Sequence, residues 1–149
     1  MAIERPIDPD AVLFTGVANR LALAFAVLVA DQTLTSEGDV PFEPFTAPFT
    51  AARVTATTLR DQLGLDASRD VALGPAAPFF AAVRASAEED GDRRRIEVHA
   101  VLERTMSRTL GRLHRAFLRG PGIVEVPFLL FGRLAGGPLV GLRSIAIET

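Results

Sequence analysis

Apolar residues recur along this chain with two periods, and the places where the period changes mark its elements. From Ala11 to Ala30 they are nearly continuous, broken at Asn19 and Arg20, which predicts a helix from Pro9 to about Ala30 with Asp8 as N-cap. Proline is tolerated in a first helical turn because its missing N–H would be unpaired there anyway. The uninterrupted apolar part, Leu21 to Ala30, is about half of what a bilayer requires, so the expectation is a buried helix and no membrane span. Between Asp31 and Pro48 the helical period is lost. Gly38, Pro41, Pro44 and Pro48 fall among Phe42, Phe45 and the acids Glu37, Asp39 and Glu43, which predicts a loop followed by an edge strand.

Further along, Thr55 to Leu63 reads as a short helix ended by Gly64, and Val71 to Leu73 as a short strand. Pro78-Phe79-Phe80 opens a helix of about two turns, with Ser86 to Asp92 following as an acidic loop. A long helix is predicted from Arg93 to Arg119. Leu102, Met106, Leu110, Leu113 and Phe117 make one apolar stripe at about 100° per residue, and Arg104, Arg108, Arg112, Arg115 and Arg119 run along nearly the opposite face. Gly120-Pro121-Gly122 closes it. Ile123 to Gly132 and Leu139 to Glu148 then read as two strands joined by a turn at Leu134 to Pro138, a C-terminal β-hairpin. With no repeat and no long linker, residues 1–149 read as a single domain of the α+β class, an antiparallel sheet covered by helices.

Composition changes this picture mainly by exclusion. The chain has no cysteine, which removes disulfides, thiolate nucleophiles and cysteine zinc sites. Two histidines are too few for the usual histidine-rich metal site. The net charge is −2, all 16 basic residues are arginine, and no lysine, tyrosine or tryptophan interleaves them, which argues against a nucleic-acid binder. The uniform arginine reads as GC-rich coding bias, and the arginine stripe as a solvated helix face partly neutralised by Glu97 and Glu103. His99 lies within the apolar stripe, in line with Phe117, and His114 at its margin. Both read as packed or edge histidines, because no nucleophile and orienting carboxylate accompany them. Gly132 to Gly141 contains no phosphate-loop motif and precedes a strand, so its glycines read as hairpin glycines. No enzyme is expected. Met1 to Asp10 carries Glu4, Asp8 and Asp10 where a secretory leader is basic, and the expected location is cytoplasmic.

Two segments invite a functional reading. Thr35-Ser36-Glu37-Gly38-Asp39 is an acidic turn followed by Pro41-Phe42-Glu43-Pro44-Phe45, in which prolines stiffen the backbone and phenylalanines anchor it. A carboxylate on such a loop meets a partner with little ordering entropy left to lose. At the other extreme the sequence closes on Glu148-Thr149 directly after a strand, where a hydroxyl and a free carboxylate would be hard oxygen donors suited to Mg²⁺.

Together these segments resemble a known family. Ser36-Glu37-Gly38-Asp39-Val40-Pro41-Phe42-Glu43-Pro44-Phe45 is similar to the S-E-x-[DE]-x-P-F-E-x-F signature of the nuclease A inhibitor family. Gly132, Leu139-Val140-Gly141-Leu142 and the closing Glu148-Thr149 look like that family's final hairpin. The resemblance covers most of Asp31 to Thr149; the first helix matches in type, and Thr50 to Gly74 aligns loosely. It implies an α/β/α sandwich with a mainly antiparallel central sheet. The implied function is inhibition of a non-specific, Mg²⁺-dependent DNA/RNA endonuclease of the ββα-metal type by occlusion of its active site. The phosphate-mimicking glutamate of the family falls on Glu37. The threonine whose hydroxyl reaches the nuclease's Mg²⁺ falls on Thr149, which bridges that metal only in the complex. The resemblance implies no cofactor of the chain's own, a nuclease as protein partner, no contact with nucleic acid, and a monomer when free. The family's second contact is an Asp-Trp pair; here Asp90 is the best match for the aspartate, and Gly91 stands at the tryptophan position. A buried tryptophan is a usual hot spot. Its absence implies a different partner, a lower affinity or a lost inhibitory role. The alternative is a protein- or ligand-binding module of the same fold that inhibits no nuclease.

Overall fold

A computed structural model describes residues 9–34, 38–135 and 137–149. In chain order, the elements among the described residues are α1 (Pro9–Leu28), β1 (Thr33–Leu34), β2 (Val40–Pro41), β3 (Glu43–Ala47), α2 (Ala56–Gln62), β4 (Asp70–Pro75), α3 (Ala77–Asp90), α4 (Arg93–Leu110), β5 (Leu113–Arg119), β6 (Glu125–Arg133) and β7 (Leu139–Ile147). β3 to β7 form an antiparallel sheet in the order β3-β7-β6-β5-β4, while β1 and β2 pair as a separate two-stranded ladder. The C-terminal hairpin is as the pattern predicts, pairing Glu125 with Ile147 through to Arg133 with Leu139. β3 lies at the sheet edge, where Pro44 can be placed without losing a ladder hydrogen bond.

Strand alternation sends two sets of side chains to opposite faces of the sheet. Val126, Phe128 and Leu130 of β6 and Val140, Leu142 and Ala146 of β7 join a core with Ala18, Ala22, Phe25 and Val29 of α1, Phe80 of α3, and Leu102, Met106 and Leu110 of α4. Leu129, Phe131, Ala116, Leu118 and Val71 turn the other way and pack on Leu59 of α2. The result is the expected α/β/α sandwich of mixed α+β class, with three helices on one face and one short helix on the other. α2 begins with a reciprocal cap between Thr55 and Thr58 and is followed by Gly64 at φ +68°. The predicted cap Asp8, like Ser36, Glu37 and Gly136, lies outside the described residues.

The stretch from 86 to 122 departs from expectation. Ser86 to Asp90 is not a loop; it completes α3, a helix of 14 residues rather than about two turns. Gly91 at φ +67° stops that helix, and the Asp92 carboxylate accepts from the Arg95 N–H to start α4. The expected helix over Arg93 to Arg119 ends at Leu110 and gives way to β5. Gly111 at φ +73° makes the break. The spacing of four between Leu113 and Phe117 fits a strand as well as a helix, because any even spacing returns to the same strand face. In β5, therefore, Arg115 and Arg119 stand beside Phe117, their guanidinium carbons 5.4 and 4.7 Å from its ring centre, and not on an opposite solvated face. Gly120 to Gly122 accordingly links β5 to β6 and terminates no helix.

Candidate functional site

The β1–β2 hairpin, whose described loop residues are Gly38 and Asp39, is rooted in the core. Leu34 and Phe42 belong to the cluster beneath α1 and α4. The hairpin lies over β7: the Ser144 hydroxyl, 5% exposed, reaches the carbonyls of Val40 at 2.9 Å and Pro41 at 3.1 Å. Beyond Pro41, β3 continues along β7 with Glu43 opposite Arg143, and the two side chains form an ion pair at 3.0 Å. At the tip, Gly38 rests on Ile147 so closely that a Cβ added there would lie 2.5 Å from Ile147 Cγ1. Only glycine leaves room for that approach. Asp39, exposed, holds φ +46°, a conformation aspartate tolerates better than most residues. Glu37 itself lies outside the described residues.

Ile147 ends β7, and the pairing continues one step: the Glu148 N–H donates to the Val124 carbonyl at 2.9 Å. The Glu148 carboxylate is held from across β6, where Arg119 Nε donates to its two oxygens at 2.9 and 3.2 Å. Thr149 follows and is exposed. Gly38 and Ile147, remote in sequence, are thus brought together.

Asp90 occupies the last turn of α3, with its side chain 66% exposed and a carboxylate oxygen 3.7 Å from Arg95 Nη1. Arg95 is mostly buried and also approaches Ser86 Oγ at 3.4 Å. A cleft of about 300 Å³ joins this corner to the hairpin and β7, with Ser86, Arg95, Phe79 and Phe117 on one side and Leu34 and Ala146 on the other. The side chain that pairs with Asp90 therefore borders the same cleft as β1 and the end of β7.

Neither histidine stands in this region as a base with partners. His99 is 4% exposed, has no hydrogen-bond partner at either ring nitrogen among the described residues, and lies edge-on to Phe42 and Phe79. Burial, followed by the nearby Arg95 charge, pushes its pKa down to about 4, so the ring is neutral at pH 7. His114 stacks on Phe131, and burial followed by the Arg112 charge lowers its pKa also. Among the described residues no group of three or more His, Cys, Asp or Glu could hold a metal ion, and no helix is long and apolar enough to cross a membrane. Asp39, Asp90 and Thr149 are exposed, whereas the Glu148 carboxylate is engaged by Arg119.

Sequence reasoning missed Arg119 and Ser144 as parts of this region. The sequence pattern puts Arg119 on a helix face, and Gly111 inside the expected helix is the signal of the break before β5. Ser144, a lone hydroxyl in an apolar strand, signals a buried polar contact but does not say with what. On the opposite face of the sheet an apolar groove of about 450 Å³ runs past Pro41, Phe45, Leu65, Pro127, Leu129 and Ile145.

Comparison with known proteins bears on this geometry. A family model described as nuclease A inhibitor-like protein matches residues 23–149. No curated protein matches the chain.

Proposed function

The chain belongs to the nuclease A inhibitor-like family, and from that premise we propose that it inhibits a non-specific, Mg²⁺-dependent endonuclease of the ββα-metal type by filling the active site. Family membership supports a nuclease-inhibitor role and a nuclease as the protein partner. In our reading Glu37 takes the place of the substrate phosphate, the Thr149 hydroxyl ligates the partner's Mg²⁺, and Asp90 supplies a second contact. Such a site is electropositive because it stabilises a phosphate in transition. A carboxylate and a hydroxyl satisfy it while offering no scissile bond. Inhibition then needs no catalysis and no cofactor other than the partner's metal, and it suits a single domain that is monomeric when free and works in the cytoplasm.

The observation that carries this reading is the seat of Gly38 on Ile147, which sets the described part of the acidic turn beside the residues leading to Thr149. Acids held on a docked hairpin also steer a basic partner while losing little entropy on binding.

The test is an inhibition titration of a ββα-metal nuclease with the wild type, Glu37→Ala and Thr149→Val. Stoichiometric inhibition that weakens at least tenfold in each variant is expected, about what one lost charge-assisted contact costs. Inhibition unaffected by either change would move the site elsewhere. No inhibition by the wild type would leave a binding module of the same fold.

A further inference from the structure

Residue 148 is held at both its backbone and its side chain although it lies beyond the last strand. Its N–H donates to the Val124 carbonyl, and both of its carboxylate oxygens accept from Arg119 Nε. Arg119 is itself restrained. Its guanidinium carbon sits 4.7 Å from the centre of the Phe117 ring, and that ring packs on Phe128, with centres 5.2 Å apart, in the closed core of the sandwich. The side chain starts on β5, crosses β6 and ends on a residue that follows β7, so the ion pair ties the end of the chain to a strand two places away in the sheet.

We propose that Arg119 is a positioning residue that acts through Glu148 to fix the direction of Thr149; this rests on the inhibitory reading above. Chain ends are poorly ordered unless tied down, so a firm hold on the preceding residue narrows the directions open to the last one. A hydroxyl that must reach a partner's metal loses affinity for every conformer it has to abandon on binding. Holding Glu148 at both backbone and side chain leaves Thr149 one covalent link from a fixed point, and the aromatic face of Phe117 limits where the guanidinium can swing. The ion pair is about half exposed, with side-chain exposures of 40% for Arg119 and 41% for Glu148. Its contribution to global stability is accordingly small. Its consequence is local order.

The test combines relaxation of the free protein with inhibition assays. Arg119→Gln and Glu148→Gln each lower the ¹⁵N heteronuclear NOE of Thr149 and weaken inhibition about three- to tenfold, and the double variant is no worse than either single one, as expected for one lost pair interaction. Arg119→Lys, which keeps the charge, restores part of both. In a Thr149→Val background Arg119→Gln has no further effect on inhibition. An unchanged NOE at Thr149 in Arg119→Gln would overturn the proposal, as would an inhibition loss that persists in the Thr149→Val background. If the wild type inhibits no nuclease, the functional reading fails on its own, while the NOE still decides whether Arg119 orders Thr149.

Discussion

Under α1, α3 and α4 the sheet presents Val126, Phe128, Leu130, Val140 and Leu142, each at most 1% exposed, whereas the opposite face leaves Phe45, Pro127 and Ile145 bordering an open groove beneath one short helix. The candidate site draws its rigidity from the closed face. Leu34 and Phe42 root the hairpin there, Ser144 points there to meet the hairpin carbonyls, and Arg119 lies on Phe117, which packs against the same core. The open face contributes the half-buried Ile147, on which Gly38 rests. A loop that must hold its shape without a partner is thus secured to the better-packed side of the sandwich.

The comparison can be broken first by core truncation. Phe128→Ala should destabilise the fold by about 3–5 kcal/mol, because a fully enclosed ring leaves a cavity its neighbours cannot fill. Ile145→Ala, beside the groove, should cost only about 1 kcal/mol, since much of its site is already open to water. Urea unfolding of both would show it, and comparable losses would mean that the two faces share the load.

Next in size is the pH dependence set by His99, which lies against Phe42 and Phe79 on the closed side. Its pKa is lowered to about 4 in the folded protein from about 6.5 in the unfolded chain. Above pH 6.5 neither state binds the proton and stability is unaffected. As pH falls from 6.5 towards 4 the unfolded state takes up a proton that the folded state does not, so stability drops, by roughly 3 kcal/mol in all. His99→Leu should remove that slope and, by relieving two unpartnered nitrogens, raise stability at pH 7 by about 1 kcal/mol. Urea midpoints collected across this pH range would decide, and a slope that survives the substitution would assign the acid sensitivity to other groups.

The smallest effect concerns the hairpin alone. Ser144→Ala removes the one hydroxyl donor that the Val40 and Pro41 carbonyls share and should cost about 1 kcal/mol. Hydrogen exchange should quicken at the Leu34 and Val40 amides while the β6–β7 amides stay protected, which would separate local loosening of the hairpin from loss of the core.

Much of this was readable in advance. The apolar run of α1, the Thr55–Gly64 helix, the C-terminal hairpin and the edge position of β3 follow from local pattern and turn residues. Residues 86–119 did not yield in the same way. Alanine, serine and acids at 85–90 carry no apolar period, so the end of α3 resembled a loop. Leu113 and Phe117 satisfied both a helix and a strand.

What the sequence determined by itself was local: which segments bury a face, where glycine and proline break the chain, and which acids sit on a stiff turn. Only the tertiary structure decided that Gly38 lies against Ile147, that Arg119 reaches Glu148 across β6, and that Arg95, the partner of Asp90, borders the same cleft as Leu34 and Ala146. Those proximities join residues separated by about a hundred positions or by whole elements. Sheet order and register set them, and because register is a property of strand pairs, it cannot be read from any one strand alone.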